Sequence, residues 1–302
     1  MSFLITGIDG FVGSHLLTHL EKDGFKVYGT SRRKENIDDK KIFFLDLTSL
    51  NSIEQVLLKT TPQYLILLAG FSSMKESFAK KEECLLINYE SSKKFLTIIR
   101  KHQLKIKVLL ISSAMVYCPS DATLKEDSPL CPQTSPYSDA KIKQEQLIDD
   151  FKDIEIICSR SFNHTGVGQS DNFIVPMLAK AFAETKGVSV SLTLGNLDSK
   201  RDFLDVEDVC NAYKILLQEK TKHKIYNVCS GKSWSVEEII KIFEKVSGKK
   251  AQIKIDEEKK ESNAPFQKIK GDNSLIKKDT SWKPQIPFEK TIQEMYQRRI
   301  KL

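Results

Sequence analysis

No stretch of this 302-residue sequence stays apolar for long. The longest such runs, Tyr64–Ala69 and Val108–Ile111, fall far short of the roughly 20 residues that span a bilayer, so no membrane partner is expected. The amino end, Met1-Ser2-Phe3-Leu4-Ile5-Thr6, has no basic segment and no small-residue cleavage site, and it reads as a first strand instead of a signal peptide. Cysteine pairing is also missing. The six cysteines (Cys84, Cys118, Cys131, Cys158, Cys210, Cys229) include no C-x-x-C pair, which fits reduced cytoplasmic thiols better than a disulfide framework or a zinc site, so no metal is expected. Cys158 sits in an apolar run and reads as core. There is no internal repeat and no low-complexity linker. Charge of one sign is in modest excess, a net +7. The densest lysine run, Lys241–Lys260, is mixed with Glu257, Glu258 and Glu261, so it reads as a solvated face and not as a nucleic-acid surface. A weakly positive field favours an anionic small-molecule substrate.

Residues that are 40% hydrophobic can bury a large core, in one big domain or two intertwined ones. The first half alternates the two periodicities. Ser2–Thr6, Lys26–Thr30, Ile42–Leu45, Tyr64–Leu68, Val108–Ser112 and Glu155–Ser159 read as strands. Phe11–Lys22, Leu50–Lys59, a long Glu82–Lys101 and Pro136–Phe151 read as helices. Ser49 or Asn51 can cap the second helix, and Ser135-Pro136 is a capping serine before a first-turn proline. This alternation predicts an α/β fold, a Rossmann doubly wound parallel sheet. Later come helices over Pro176–Thr185, Val206–Gln218, Val236–Val246 and Phe288–Tyr296, and strands near Val188–Leu192, Lys224–Val228 and Gln252–Ile255. The expected organisation is a dinucleotide domain over 1–160 with a return segment near 205–231. A smaller, mixed α/β substrate domain over 161–302 completes it, with a cleft between the two.

Thr6-Gly7-Ile8-Asp9-Gly10-Phe11-Val12-Gly13 spaces glycines by three and three, between a strand and a helix. Gly7 permits the turn, Gly10 a close approach to pyrophosphate, and Gly13 the packing of helix on sheet. The helix N-terminus offers free N–H groups to phosphates, with Asp9, Phe11 and Val12 in the same turn. A plain strand-turn-helix would look the same at lower resolution of motif, but position, strand and helix agree here. The second strand ends Gly29-Thr30-Ser31-Arg32-Arg33 with no acid for a ribose hydroxyl. Ser31 and Arg32 suit a 2′-phosphate, which favours NADP(H) over NAD(H), unless the arginines are merely solvated. Asp46 and Leu47 suit an adenine contact. Leu68-Ala69-Gly70 lets backbone pass the cofactor, and Ser72 just beyond is counted with the substrate contacts.

Tyr137-Ser138-Asp139-Ala140-Lys141 puts a tyrosine and a lysine on one helical face. A nearby ammonium stabilises the phenolate, so Tyr137 can exchange a proton with a sugar oxygen while hydride moves at the same carbon. Such pairs are common by chance. Ile111-Ser112-Ser113 ends the preceding strand, and Ser113 is the choice for the hydrogen bond to the reacting oxygen, if it is not simply a turn residue.

These residues resemble the extended short-chain dehydrogenases/reductases over nearly the whole chain. The second half is most similar to the branch of GDP-mannose 4,6-dehydratase and GDP-4-keto-6-deoxy-mannose reductase. The strings are Arg160-Ser161-Phe162-Asn163-His164-Thr165-Gly166-Val167-Gly168-Gln169, Gly195-Asn196-Leu197-Asp198-Ser199-Lys200-Arg201-Asp202-Phe203, Tyr226-Asn227-Val228-Cys229-Ser230-Gly231 and Ser281-Trp282-Lys283-Pro284. The resemblance implies that Asn163 contacts the sugar nucleotide and that His164 lies near the nicotinamide. It implies that Lys180 and Arg201 hold the diphosphate, although Arg201 could instead pair with Asp202 or Asp205. It also implies a homodimer formed through the long helix near Glu82–Lys101 and the catalytic helix, where Leu86, Phe95 and Ile99 could serve either the interface or the core.

Departures from the branch narrow the chemistry. Dehydratases place a glutamate two residues after the catalytic hydroxyl, where this chain has Met115. The epimerase/reductases use a cysteine close behind the serine and a histidine before the V-I-P-like segment, where this chain has Ala114 or Met115 and Phe173. Bare hydride transfer at C4 of a GDP-4-keto-6-deoxy-hexose remains. Cys118 replaces the usual glycine after the tyrosine, with nothing adjacent to lower its pKa, and Ser161 replaces a proline. The same residues could oxidise C4 of a GDP-sugar, or epimerise it on a retained cofactor. A 4,6-dehydratase lacks its acid, and a cofactor-sensing regulator would not need Ser113, Tyr137 and Lys141.

Overall fold

The computed structural model describes residues 1–38, 40–256 and 268–301. Six strands come first: β1 Ser2–Thr6, β2 Lys26–Ser31, β3 Ile42–Phe44, β4 Tyr64–Leu67, β5 Lys107–Ser113 and β6 Ile156–Ser161. They are followed by β7 Asn163–Thr165, β8 Ser189–Leu194, β9 Lys200–Asp205, β10 Ile225–Val228, β11 Ser233–Ser235, β12 Lys250–Ile255 and β13 Lys268–Ile269.

A seven-stranded sheet runs in the order β10-β6-β5-β4-β1-β2-β3, with every neighbouring pair parallel. Side chains alternate across it, so each strand feeds two cores. Leu4, Val108 and Leu110 pack with the helices Leu50–Thr60, Ser91–Lys101 and Pro136–Asp150. Phe3, Ile5 and Leu109 pack with the helices Phe11–Lys22 and Val206–Gln218 and with Trp282. The chain goes outward from β1 through β2 to β3, then returns to the other side of β1 with β4. That reversal leaves a crevice beyond the carboxyl ends of β1 and β4.

The chain leaves this sheet at Phe162. β7 pairs with β9, which also pairs with β11 and β13 in a small second sheet, and β12 pairs with β8. The helices Ile174–Glu184, Val236–Ser247 and Phe288–Ile300 close a third core around Phe182, Phe243 and Ile292. The helix Val206–Gln218 and β10 then rejoin the large sheet. Starts follow local chemistry: Ser49 accepts from Ser52 N, and Ser235 and Glu238 form a capping box. Among the described residues no helix is long and apolar enough to cross a membrane. Of the charged run Lys241–Lys260 and the nearby Glu261, positions 257–261 lie outside the described residues.

Two sequence expectations are corrected and one open alternative is resolved. The helix over Glu82–Lys101 is not one regular element: Lys81–Leu85 is α-helical, Leu86–Glu90 a π-turn and Ser91–Lys101 α-helical again. The wider turn brings Asn88 inward, where it is buried, and periodicity alone does not reveal a single wide turn. Phe95 and Ile99 are 0% and 1% exposed in the protomer core, so they cannot face a partner. Cys118 and Cys131 form a disulfide. A short antiparallel bridge between Tyr117 and Leu130 sets the two cysteines side by side, which a spacing of 13 does not announce. The other four cysteines are free and buried, including Cys158 in the core.

Candidate active site

A cavity of about 840 Å³ lies at the crevice between the large sheet and the second lobe. That size suits a ligand of some tens of atoms, and its lining is mainly apolar with a few polar groups. At one end is the glycine turn. Gly7 has φ +70°, the left-handed region, and a Cβ on Gly13 would stand 2.4 Å from the Gly7 carbonyl oxygen. Helix and turn therefore pack at a distance no other residue allows. Asp9, Gly10, Phe11, Val12 and Gly13 all line the cavity, with Ser31 and Arg32 beside them and Leu47, Leu68, Ala69 and Gly70 further along. Asp46 does not line it. Its carboxylate accepts from Thr48 N at 2.8 Å and Thr48 Oγ1 at 2.7 Å, so it is engaged in its own turn.

At the other end sit Ser113, Tyr137 and Lys141. Ser135 caps the helix that carries Tyr137 and Lys141 by accepting from Ser138 N at 3.0 Å, and Pro136 opens it. Tyr137 therefore falls in the first turn with Lys141 one turn on, its ammonium 6.0 Å from the Tyr137 ring centre. Lys141 Nζ donates to Ile111 O at 2.6 Å and Gln144 Oε1 at 3.2 Å, leaving one of its three donors for the cavity. Burial pushes its pKa down to about 8. Burial also raises the Tyr137 phenol, against a hydrogen bond with Ser113 that lowers it. Ser113 Oγ accepts from Met115 N at 3.2 Å, which fixes the start of the turn after β5.

Behind this set is a relay that sequence reasoning missed. Gln144 Nε2 donates to Ser92 Oγ at 2.8 Å, and Ser92 Oγ donates to Asn88 O at 3.0 Å. Asn88 Oδ1 accepts from Phe71 N at 2.9 Å and Asn88 Nδ2 donates to Phe71 O at 3.1 Å, holding the loop after β4. The only sequence signal was a polar residue on the apolar face of a helix. Further support comes from Arg160, which forms a buried ion pair with Glu145 at 2.6 Å. Glu145 also accepts from Ser112 Oγ, and Arg160 donates to Tyr117 OH and Glu126 O.

Ser72, Asn163 and His164 line the cavity. His164 Nδ1 lies 3.0 Å from Phe162 O, its ring is parallel to Phe11 at 6.4 Å, and burial lowers its pKa, so it is the neutral form. Ser161 Oγ is 2.8 Å from Tyr213 OH, and both line the cavity, a hydrogen bond that a proline there could not make. Met115 and Phe173 are also on the wall. Glu83 is the cavity's one carboxylate besides Asp9 among the described residues, and it pairs with Lys80 at 3.7 Å. Lys180 and Arg201 are not on the wall. Lys180 is exposed and 3.5 Å from Asp171. Arg201 is half-buried on β9 and donates to Lys200 O at 2.9 Å. It makes no ion pair with Asp202 or Asp205, whose carboxylates accept from Ser230, Gly231 and Gly271, and from Thr291 and Glu207.

A profile of the GDP-mannose 4,6 dehydratase family matches residues 4–295. The GDP-6-deoxy-D-mannose reductase of Pseudomonas aeruginosa is 29% identical over 297 residues, covering 95% of this chain and 93% of that protein. The GDP-6-deoxy-D-talose 4-dehydrogenase of Aggregatibacter actinomycetemcomitans is 30% identical over 260 residues, covering 85% and 84%. A solved structure of RMD from Pseudomonas aeruginosa complexed with NADPH superposes with a TM-score of 0.82 over 99% of both chains at 24% identity, a likeness of fold.

Proposed function

The chain belongs to the GDP-mannose 4,6 dehydratase family of extended short-chain dehydrogenases/reductases, an oxidoreductase family, and we propose that it is an NADP(H)-dependent reductase of a GDP-4-keto-6-deoxy-hexose. The observation that carries this reading is one cavity with the glycine turn at one end and Ser113, Tyr137 and Lys141 at the other, with a methionine where a dehydratase needs an acid. The residues present fit a dinucleotide: a turn closed to any side chain at Gly13, small residues at Ala69 and Gly70, and, among the described residues, arginine and lysine on the wall only at the β2 end and at Lys141. Gly7–Gly13 would hold the pyrophosphate, Arg32 the 2′ end with Ser31 beside it, and Tyr137 and Lys141 a ribose, with His164 at the nicotinamide side. When bound, the cofactor supplies the hydride.

The chain's own residues manage the proton. Tyr137 donates its phenolic proton to the C4 oxygen as that oxygen gains charge, and Ser113 donates a hydrogen bond to the same atom. Lys141, close to its ordinary charge at pH 7, stabilises the phenolate left behind. Met115 has no proton to move, so elimination of water is unsupported and the reaction stops at C4. Asn163 and Ser72 are the proposed sugar contacts. Lys180 and Arg201 would reach a diphosphate only from outside the present wall. The same residues run in reverse as a C4 dehydrogenase, a reading favoured by the Aggregatibacter relative's name. The proposal includes a cytoplasmic homodimer, supported by Phe78, 54% exposed beside Leu85 and Pro136. The disulfide is the feature that argues against the compartment.

The test is oxidation of NADPH, followed by absorbance, with GDP-4-keto-6-deoxy-mannose. Turnover that falls by at least about a hundredfold in Tyr137→Phe supports the reading. Absence of turnover in the wild type, with no oxidation of GDP-6-deoxy-hexoses in reverse, overturns it.

A further inference from the structure

β2 ends without a carboxylate, yet the fold supplies one from another element. Asp9, in the turn after β1, has its Oδ2 2.9 Å from Ser31 Oγ and 3.3 Å from Asn36 Nδ2, both donating to it, and 3.6 Å from Arg33 Nε. The Ser31 hydroxyl is thereby committed: its proton goes to Asp9, and its oxygen accepts from Arg33 N at 2.9 Å. Arg32 lines the same end of the cavity and has no ion pair among the described residues.

This arrangement treats the two dinucleotides differently. A ribose 2′-hydroxyl is a donor, and the Asp9 carboxylate is an acceptor with lone pairs to spare. A 2′-phosphate is a dianion that must sit near that carboxylate while competing with it for Ser31 and Arg33. Among the described residues at this end, Arg32 is the cation not paired with Asp9, and so the one free to favour the phosphate. We infer that Asp9 sets the balance between NADP(H) and NAD(H), admitting NAD(H) and holding back NADP(H), an inference that rests on the dinucleotide reading of this cavity. The carboxylate is positioned by the glycine turn, not by the end of β2, so a site with no acid at the β2 end still has one at the ribose.

Calorimetric titration of the full chain with NADP⁺ and with NAD⁺ tests this without any sugar. The wild type binds both. In Asp9→Asn the preference for NADP⁺ over NAD⁺ rises on the order of tenfold, the effect of removing one partly exposed charge beside a phosphate. In Arg32→Ala it falls by a similar factor. Because the readout is a ratio on one sample, a partly unfolded variant does not mimic the result, and Asp9→Ser provides a second, smaller replacement. A ratio unchanged in both Asp9 variants overturns the inference, as does a wild type that binds NADP⁺ alone or neither dinucleotide. The expected ratios with no turnover of any GDP-sugar would sink the substrate assignment and leave the role of Asp9 standing.

Discussion

Lys141 is where stability and chemistry are most directly opposed. The residue is 6% exposed, and burial pushes its pKa from 10.5 down to about 8. Below pH 8 the folded chain holds an ammonium in a site that disfavours it. Between pH 8 and 10.5 the folded lysine is neutral while the unfolded one is still protonated. The unfolded chain then binds more protons, so stability rises with pH across that window. At about 1.4 kcal/mol per unit, the wild type gains on the order of 2 kcal/mol from this group between pH 7 and roughly 9.5. Lys141→Met removes the titration and keeps most of the volume. It also leaves Ile111 O and Gln144 Oε1 without their donor, a loss of about 1 kcal/mol for each. The variant is therefore expected to match or slightly exceed the wild type at pH 7. By pH 9.5 it should have lost about 2 kcal/mol relative to it. Urea unfolding followed by circular dichroism at both pH values measures this. Catalysis in the same variant falls at least about a hundredfold, since no cation remains beside Tyr137. A difference between the two proteins that stays flat from pH 7 to 9.5 would refute the reasoning, because it would mean the buried amine titrates as if in water.

Two further outcomes follow from the supports of the site. Arg160→Met leaves the Glu145 carboxylate buried without its cation and is expected to cost about 3–5 kcal/mol, whereas the pair Arg160→Met with Glu145→Leu recovers most of that. Equal losses in single and double variants, measured by urea unfolding, would show that the ion pair is not what matters. Cys118→Ser opens the loop to Cys131, a separation of 13 residues, and is expected to lower stability by about 2–3 kcal/mol. Dithiothreitol should do the same to the wild type and nothing to the variant, as read by thermal melting.

Much of this molecule was legible because local chemistry and the fold agree. Glycines spaced by three between a strand and a helix can close only one kind of turn, and Gly13 has the contact expected of it. Ser135-Pro136 announced the start of the helix that carries Tyr137 and Lys141, and a spacing of four put both on one face. Asn88, Gln144 and Tyr213 were not legible. Each is a polar residue whose meaning lies in a partner distant in sequence, and no spacing records such a partner. Phe95 and Ile99 could be placed on a helical face, but whether a second chain or the protomer's own sheet covered that face was undetermined until the packing was known.

What the sequence determined by itself is therefore what is decided within a turn or two of chain: the glycine turn, the helix caps, the two-residue and 3.6-residue periodicities, and the tyrosine–lysine pair. Only the tertiary structure decided which elements meet. It brought Asp9 to Ser31 across 22 residues, joined Cys118 to Cys131 and left Lys180 and Arg201 off the cavity wall. The physical reason is that hydrogen bonds and charge pairs act over a few ångströms, and it is the packing of elements against one another, not proximity along the chain, that decides which groups come within that range.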